Sequence, residues 1–398
     1  MTYAPLRLKK DQERRLEAGH LWVYSNEVDT ETTPLRNLTP GEPVEILSSR
    51  DRWMGYGYVN PNSLLCARLM SRQRKALVDE NLIRARIQSA LALRERIYPA
   101  PFYRLVFGEA DGLPGLVVDR YGDVLALQIT TAGMDRLRDS VVAALESLLQ
   151  PKGILLRNDT QMRVLEGLPE EVSILRGEVP DQVEIQELGA RFLVSPKNGQ
   201  KTGWFYDQTD NRARLRRYLK GGRVLDVCSY LGGWGIQAAL WGAEEVIGLD
   251  LSAPALDGMA ENASLNGCGD RVRGIRGDAF EELRQLAAAQ ERFDLVILDP
   301  PAFIKRRKDL DRGVDAYLRL NRLGLQLLRP EGLLVTSSCS FHLPKFLFLR
   351  TVQKAAVLQN RHLQLLEAGQ QSADHPVHPA IDETSYLKTL FLRVTNAT

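Results

Sequence analysis

Long apolar runs, paired cysteines and a strong net charge are all missing from this 398-residue sequence. No stretch approaches the run of about 18 apolar residues that reads as a membrane-spanning helix, so no membrane association of that kind is expected. The opening MTYAPLRLKKDQERRLEAGH lacks the apolar core and small-residue cleavage site of a secretory leader, and none is expected. Cys66, Cys228, Cys268 and Cys339 are too few and too irregularly spaced for a disulfide framework or a paired metal-ligand motif. No metal is expected, and the expected setting is a reducing cytoplasm, where a thiol stays available for chemistry. A formal charge of +2 does not by itself announce a nucleic-acid partner.

What is present is the composition of a globular chain, 44% hydrophobic and 26% charged, long enough for two or three domains. Residues 1–72 read as a small β-rich unit. Short apolar and aromatic runs (HLWVYSNEV, GEPVEIL, WMGYGYVN, LLCARLM) are separated by Pro, Gly and Asn turns. Trp22 with Tyr24, and Tyr56 with Tyr58, share strand faces, a spacing that suits core packing and would also suit base stacking. Residues 73–190 read as a compact α+β module. A helix over 79–97 carries Ile83, Ile87, Ala90, Leu91 and Ile97 on one stripe, two strands flank a tight RYGD turn, and a second helix is expected at about 133–149.

Residues 191–398 alternate apolar strand-like runs (RVLDVCS, EVIGLDL, RVRGIRG, FDLVILDPP, GLLVTSSCS) with helical stretches. That rhythm predicts an α/β fold with a doubly wound, mainly parallel sheet whose ligands sit at the carboxyl ends of the strands. Asp226, Asp250, Asp299 and Cys339 stand at four of those ends, and Asp278 follows the RVRGIRG strand. Any one of these aspartates could cap a helix or a turn; their recurrence along one rim predicts a ligand site.

The turn DVCSYLGGWGIQAA holds Ser229, Gly232, Gly233 and Gly235 just before a helix, and Gly233-x-Gly235-x-x-Ala238 satisfies the dinucleotide fingerprint. Position argues against a nicotinamide dehydrogenase, since five residues separate Asp226 from Gly232 instead of a glycine closing the strand. An acid at the first strand end, a looser glycine loop and an acid at the second suit S-adenosylmethionine. Asp226 would face the cationic methionine portion, Asp250 the ribose hydroxyls and Asp278 the adenine amino group. In LDPPAF, two prolines stiffen the backbone beyond Asp299, with Phe303 close by, an edge that could clamp a planar base.

Cys339, in TSSCSFH, is the residue most open to two readings. A strand-end cysteine is commonly a small buried hydrophobe. Opposite a base-binding aspartate it can instead add to carbon 6 of cytosine, making carbon 5 nucleophilic enough to accept a methyl group. Cys66, Cys228 and Cys268 lack such a setting, and His342 is expected at a helix start. Basic residues gather at two places: nine against three acidic residues from Arg68 to Arg104, and the KRRK run at 305–308. Both could neutralise phosphates.

GHLWVYSNEV, GEADGLPGLVVDRYGD, LRNDTQMRVLEGL, GQKTGWFYDQTDNR, LDPPAF, TSSCSFH and ADHPVHPAIDETSYLKTLFLRV together resemble the RlmI-type large-subunit ribosomal RNA cytosine-C5 methyltransferases over nearly the whole chain. The resemblance implies an RNA-binding PUA domain over 1–72, a central α+β domain over 73–190 and a class I, Rossmann-like methyltransferase domain over 191–398. It implies S-adenosylmethionine as donor, Cys339 as nucleophile with Asp299 at the base, and Thr202 near the cofactor with Phe205 and Asp207 close by. Large-subunit ribosomal RNA is then the expected partner, with a homodimer left open. Thr209 and Asn211 depart from residues common in that family, and the KRRK loop is more basic. Two other readings stay open: an N-methyltransferase acting on a purine through DPPAF, and a non-catalytic RNA-binding or ribosome assembly factor.

Overall fold

The computed structural model describes residues 3–200 and 202–397; Lys201, inside the GQKTG motif, lies outside them. The chain divides into two compact units. Unit 1 comprises Met1–Val183 together with two later excursions, Ser195–Trp204 and Asp374–Thr384, and unit 2 takes the rest.

Unit 1 holds two five-stranded sheets. The first contains β1 (Ala4–Arg7), β2 (Trp22–Val23), β3 (Glu42–Leu47), β4 (Trp53–Val59) and β5 (Ala67–Ser71), in the order β1-β3-β4-β5-β2. The second contains β6 (Phe102–Phe107), β7 (Leu116–Tyr121), β8 (Val124–Ile129), β9 (Gly153–Arg157) and β10 (Val172–Gly177), with β7 and β8 joined at the RYGD turn. Tyr58 belongs to the core, its hydroxyl donating to the Pro114 carbonyl at 2.8 Å. The expected helix at 133–149 forms as Ala132–Arg136 and Arg138–Leu149.

The helix Glu80–Ile97 starts where the Asp79 carboxylate accepts from Leu82 N at 3.1 Å, a capping bond that satisfies one of the exposed first-turn donors. Ile83, Ile87, Ala90 and Leu91 are buried as the stripe requires, but Ile97 is 44% exposed and Arg94 is fully buried. Charge pairing explains Arg94: its guanidinium grips both oxygens of Asp111 at 2.6 and 2.8 Å and donates to the Asp374 carbonyl at 2.7 Å.

The same chemistry corrects the expectation for the basic cluster. Arg68 is buried against Glu166 at 2.9 Å, and Arg104 binds Asp119 through two bonds of 2.8 and 2.7 Å. Buried guanidinium–carboxylate forks of this kind are internal structure, because an unpaired buried charge is prohibitively costly. Arg72, Arg74, Lys75, Arg84 and Arg96 remain exposed.

Unit 2 is built on a seven-stranded sheet. Before it comes the hairpin of β11 (Val183–Glu187) and β12 (Ala190–Val194); the sheet strands are β13 (Arg223–Val227), β14 (Glu245–Asp250), β15 (Val272–Arg276), β16 (Phe293–Leu298), β17 (Leu328–Ser338), β18 (Arg361–Gly369) and β19 (Lys388–Asn396). The order is β15-β14-β13-β16-β17-β19-β18. The first five are parallel, and β19 runs antiparallel to both of its neighbours. Strands covered on both faces must be largely apolar, which is why β13, β14 and β16 are nearly continuous runs, whereas the edge strands β15 and β18 each bury only one residue. Helices Gly233–Leu240, Ala253–Leu265, Ala279–Ala288, Leu310–Leu327 and Lys345–Val357 flank the sheet. The strand order reverses between β13 and β16, so the crevice of this doubly wound sheet opens at the carboxyl ends of that pair.

Candidate functional site

β13 delivers Asp226 to the crevice, fully buried. Its Oδ2 accepts from Gly235 N at 2.9 Å, whereas Oδ1 is buried with no hydrogen-bond partner in the protein. Burial, aided by the charges of Asp299 and Asp250 and opposed by Gly235 N–H, pushes its pKa up to about 7. Between β13 and the next helix the backbone is contorted. Cys228, Tyr230 and Gly232 have φ of 64°, 50° and 83°, left-handed values that cost the first two residues conformational energy. The turn is held by Cys228 N and Ser229 N donating to the Leu249 carbonyl at 2.8 and 3.1 Å. Gly232 needs its missing side chain, since a methyl group there would sit 2.7 Å from Met259 Cγ.

Asp250 closes β14 and accepts from Tyr230 N and Ser252 N, both at 2.9 Å, so the second strand end braces the first turn. Ser229 Oγ, like Asp226 Oδ1, is buried without a partner. Asp278 caps the helix Ala279–Ala288, its Oδ1 accepting from Phe280 N and Glu281 N at 2.9 and 3.2 Å. Gly233 opens the helix Gly233–Leu240. The unsatisfied Asp226 and Ser229 oxygens, the strained glycine turn and three carboxylates fit a polar, cationic group carrying hydroxyls.

Asp299 follows β16 directly. Gln208 Nε2 donates to its Oδ1 at 2.9 Å and Trp234 Nε1 donates to its Oδ2 at 3.0 Å. Burial raises this carboxyl to about 6, with Asp207 adding to the rise and Trp234, Arg212 and Gln208 opposing it. Gln208 is itself fixed by Asn211 Nδ2 at 2.7 Å, and Thr209 Oγ1 donates to Glu187 at 2.7 Å. Of the two residues that depart from the family pattern, Asn211 thus supports the side chain that holds Asp299, whereas Thr209 is bonded to β11. Phe205 packs edge-on against Tyr230, with ring centroids 5.3 Å apart, and Asp207 accepts from Tyr386 Oη at 2.6 Å.

Cys339 follows β17 directly and is partly exposed, with Sγ 4.0 Å from the Pro300 carbonyl. The β16–β17 register pairs Leu298 with Thr336, which sets the two strand ends side by side. The flanking serines are what fix the thiol's backbone. Ser338 Oγ donates to Tyr317 Oη at 2.9 Å, Ser340 Oγ lies 3.0 Å from the same hydroxyl, and Ile304 N donates to Ser340 Oγ at 3.1 Å. Lys388 Nζ donates to the Ser340 carbonyl at 2.6 Å, and burial brings the Lys388 pKa down to about 8.

One expected role moves, that of Phe303. Phe303 leans on Tyr317 and Phe280, with centroids 4.8 and 6.2 Å away, and contributes to the core. His342 lies in the turn before the helix Lys345–Val357, against the Phe341 ring. Burial pushes the Cys66 thiol up to about 12, and burial with four nearby aspartates raises Cys228 further. Thr202 lies in unit 1, buried, with its hydroxyl donating to Asp119. Sequence reasoning missed Gln208, Trp234, Tyr317 and Lys388. Lys388 alone left a signal, a single cation opening the apolar run KTLFLRV. Among the described residues no cluster of His, Cys, Asp and Glu could hold a metal ion.

Comparison with known proteins adds an independent line. Residues 6–72 match the PUA-like domain, and residues 165–393 match the S-adenosylmethionine-dependent methyltransferases. "Ribosomal RNA large subunit methyltransferase I" of Tolumonas auensis is 38% identical, covering 97% of this chain and 98% of its own. The protein of the same name from Aeromonas salmonicida is also 38% identical over the same shares. Among solved structures, SMU.776, crystallised in complex with SAH, superposes with a TM-score of 0.83 at 22% identity. It covers 98% of this chain and 100% of its own, a likeness that concerns the fold.

Proposed function

The chain belongs to the S-adenosylmethionine-dependent methyltransferases, within the ribosomal RNA large subunit methyltransferase I family, and from that premise we propose that it methylates carbon 5 of a cytosine in large-subunit ribosomal RNA. The observation that supports this chemistry most is the partly exposed Cys339 thiol beside the DPP backbone, on the strand next to Asp299.

S-adenosylmethionine, when bound, supplies a methyl group on a cationic sulfonium. Asp226 and Ser229 would hold its methionine end with their unpartnered oxygens, Asp250 its ribose and Asp278 its adenine, while Gly232 and Gly233 let the backbone approach. Cys339 adds to carbon 6 of the cytosine, and the ring becomes an enamine whose carbon 5 can take the methyl group. Asp299, titrating near 6, accepts from the exocyclic amine and can pass a proton to N3 as negative charge builds on the ring. Gln208 and Trp234 keep that carboxyl from rotating. A solvent water or hydroxide then takes the carbon 5 proton, the C5–H electron pair re-forms the C5–C6 double bond, and the C6–S bond breaks to release the Cys339 thiolate and restore the aromatic ring.

The target must be unstacked to reach such a crevice. The exposed cations Lys305, Arg306, Arg307 and Lys308, directly after DPPAF, would hold flanking phosphates without reading sequence. Domains for this work are proposed at 1–72 (PUA, RNA binding), 73–190 and 191–398.

Nucleoside analysis of ribosomal RNA from cells with and without the protein tests the proposal. It expects one 5-methylcytosine lost in its absence, restored by the wild-type chain and not by Cys339→Ala. Loss of a methylated purine instead would overturn it.

A further inference from the structure

The proposed nucleophile has a buried cation behind it. β19 runs antiparallel to β17 with Lys388 opposite Ser338, the residue before Cys339. The Lys388 side chain then donates from Nζ to the carbonyl of Ser340, the residue after it. Lys388 therefore brackets the cysteine on both sides of the chain. It is only 8% exposed, and among the described residues no carboxylate pairs with it. A buried ammonium without a counter-ion is costly, and the bond to the Ser340 carbonyl offsets only part of that cost. One ammonium proton serves Ser340, leaving two donors for another acceptor.

Resting on the reading of Cys339 as nucleophile, we propose that Lys388 is a positioning residue whose ammonium holds the Cys339 sulfur as a thiolate. In the ionisation the S–H bond breaks, the proton leaves to solvent water, and the electron pair stays on sulfur, ready to add to carbon 6. The thiolate is then the counter-ion that the buried ammonium otherwise lacks. The electrostatics run the same way, since burial lowers Lys388 to about 8 while charge on Cys339 raises it.

Three other groups near the thiol do not supply this. Tyr317, from the helix Leu310–Leu327, is committed to Ser338 and Ser340, and burial raises its hydroxyl. Asp299, at the end of β16, is an acid that disfavours a second anion nearby. His342, in the following turn, packs on Phe341.

The test is the pH dependence of Cys339 alkylation by iodoacetamide in the full-length protein, followed by mass spectrometry of the 339-containing peptide. Wild type should titrate below the ordinary thiol value of about 8.5. Lys388→Met should raise the midpoint and slow alkylation at pH 7 about tenfold or more, and Lys388→Arg should keep most of the wild-type rate. Superimposable wild-type and Met profiles, or an Arg variant as slow as Met, would overturn the proposal. So would a wild-type midpoint at or above the ordinary value, a result that needs no variant. Methylation retained by Cys339→Ala would instead sink the nucleophile reading and leave the thiol's titration as measured, so the two failures are distinguishable.

Discussion

Replacing Asp226 with Asn should make the cofactor-free protein more stable at pH 8 while crippling it as a cofactor binder. The carboxyl is fully buried, has one oxygen unpartnered, and titrates near 7 against an ordinary 3.8. Because the native pKa lies above the unfolded one, the protonated acid favours folding below about pH 4. That advantage is lost as pH rises to about 7, and stability is level beyond it. The gap of about 3 units, at about 1.4 kcal/mol each, sets an upper bound near ~4 kcal/mol at pH 8. Asn is neutral throughout and keeps the bond from Gly235 N, but its amide leaves donors unmet at a cost of about 1–3 kcal/mol. The variant should therefore exceed wild type by about 1–3 kcal/mol at pH 8 and lose the advantage near pH 4. Urea unfolding of both proteins from pH 4 to 8.5, without cofactor, measures this. Calorimetry should show wild-type affinity for S-adenosylmethionine rising from pH 6 to 8 and the variant's weak and flat. Parallel stability profiles for the two proteins would refute the argument.

Changing Lys305, Arg306, Arg307 and Lys308 to Gln should flatten the salt dependence of RNA binding. The log–log slope should fall by about 0.7 for each single-strand phosphate that the variant no longer neutralises, read by filter binding at several salt concentrations. Arg104→Met strands Asp119 as a buried charge and should cost about 3–5 kcal/mol in a denaturant titration. Exposed Arg96→Met should stay within about 0.5 kcal/mol. Gly232→Ala, at φ 83° and against Met259, should cost about 1–3 kcal/mol and weaken cofactor binding measured by calorimetry.

The parallel half of unit 2 was legible because each buried strand must be apolar on both faces and the rim residues follow it immediately. Asp226, Asp250, Asp299 and Cys339 stand at those ends as expected. Less legible was anything set by contacts distant in sequence. The excursions Ser195–Trp204 and Asp374–Thr384 join unit 1 through bonds such as Arg104 N to Asp374 at 2.8 Å, which no local pattern reveals. The basic cluster was legible only in part, because charge counting cannot tell exposed Arg72, Arg74, Lys75, Arg84 and Arg96 from Arg68, Arg94 or Arg104, each paired internally with an acid elsewhere in the chain. Gln208, Trp234 and Lys388 escaped because their roles depend on strand pairing and loop closure rather than on spacing.

The covalent step itself can be caught. Fluorine at carbon 5 cannot leave as a proton does, so RNA carrying 5-fluorocytosine at the target, incubated with S-adenosylmethionine, should trap the enzyme. Mass spectrometry should then find the RNA nucleotide on the peptide containing Cys339, and none on Cys339→Ala. Full methylation of ordinary RNA with no trapped species, or a cross-link at another residue, would contradict a cysteine-led attack on cytosine.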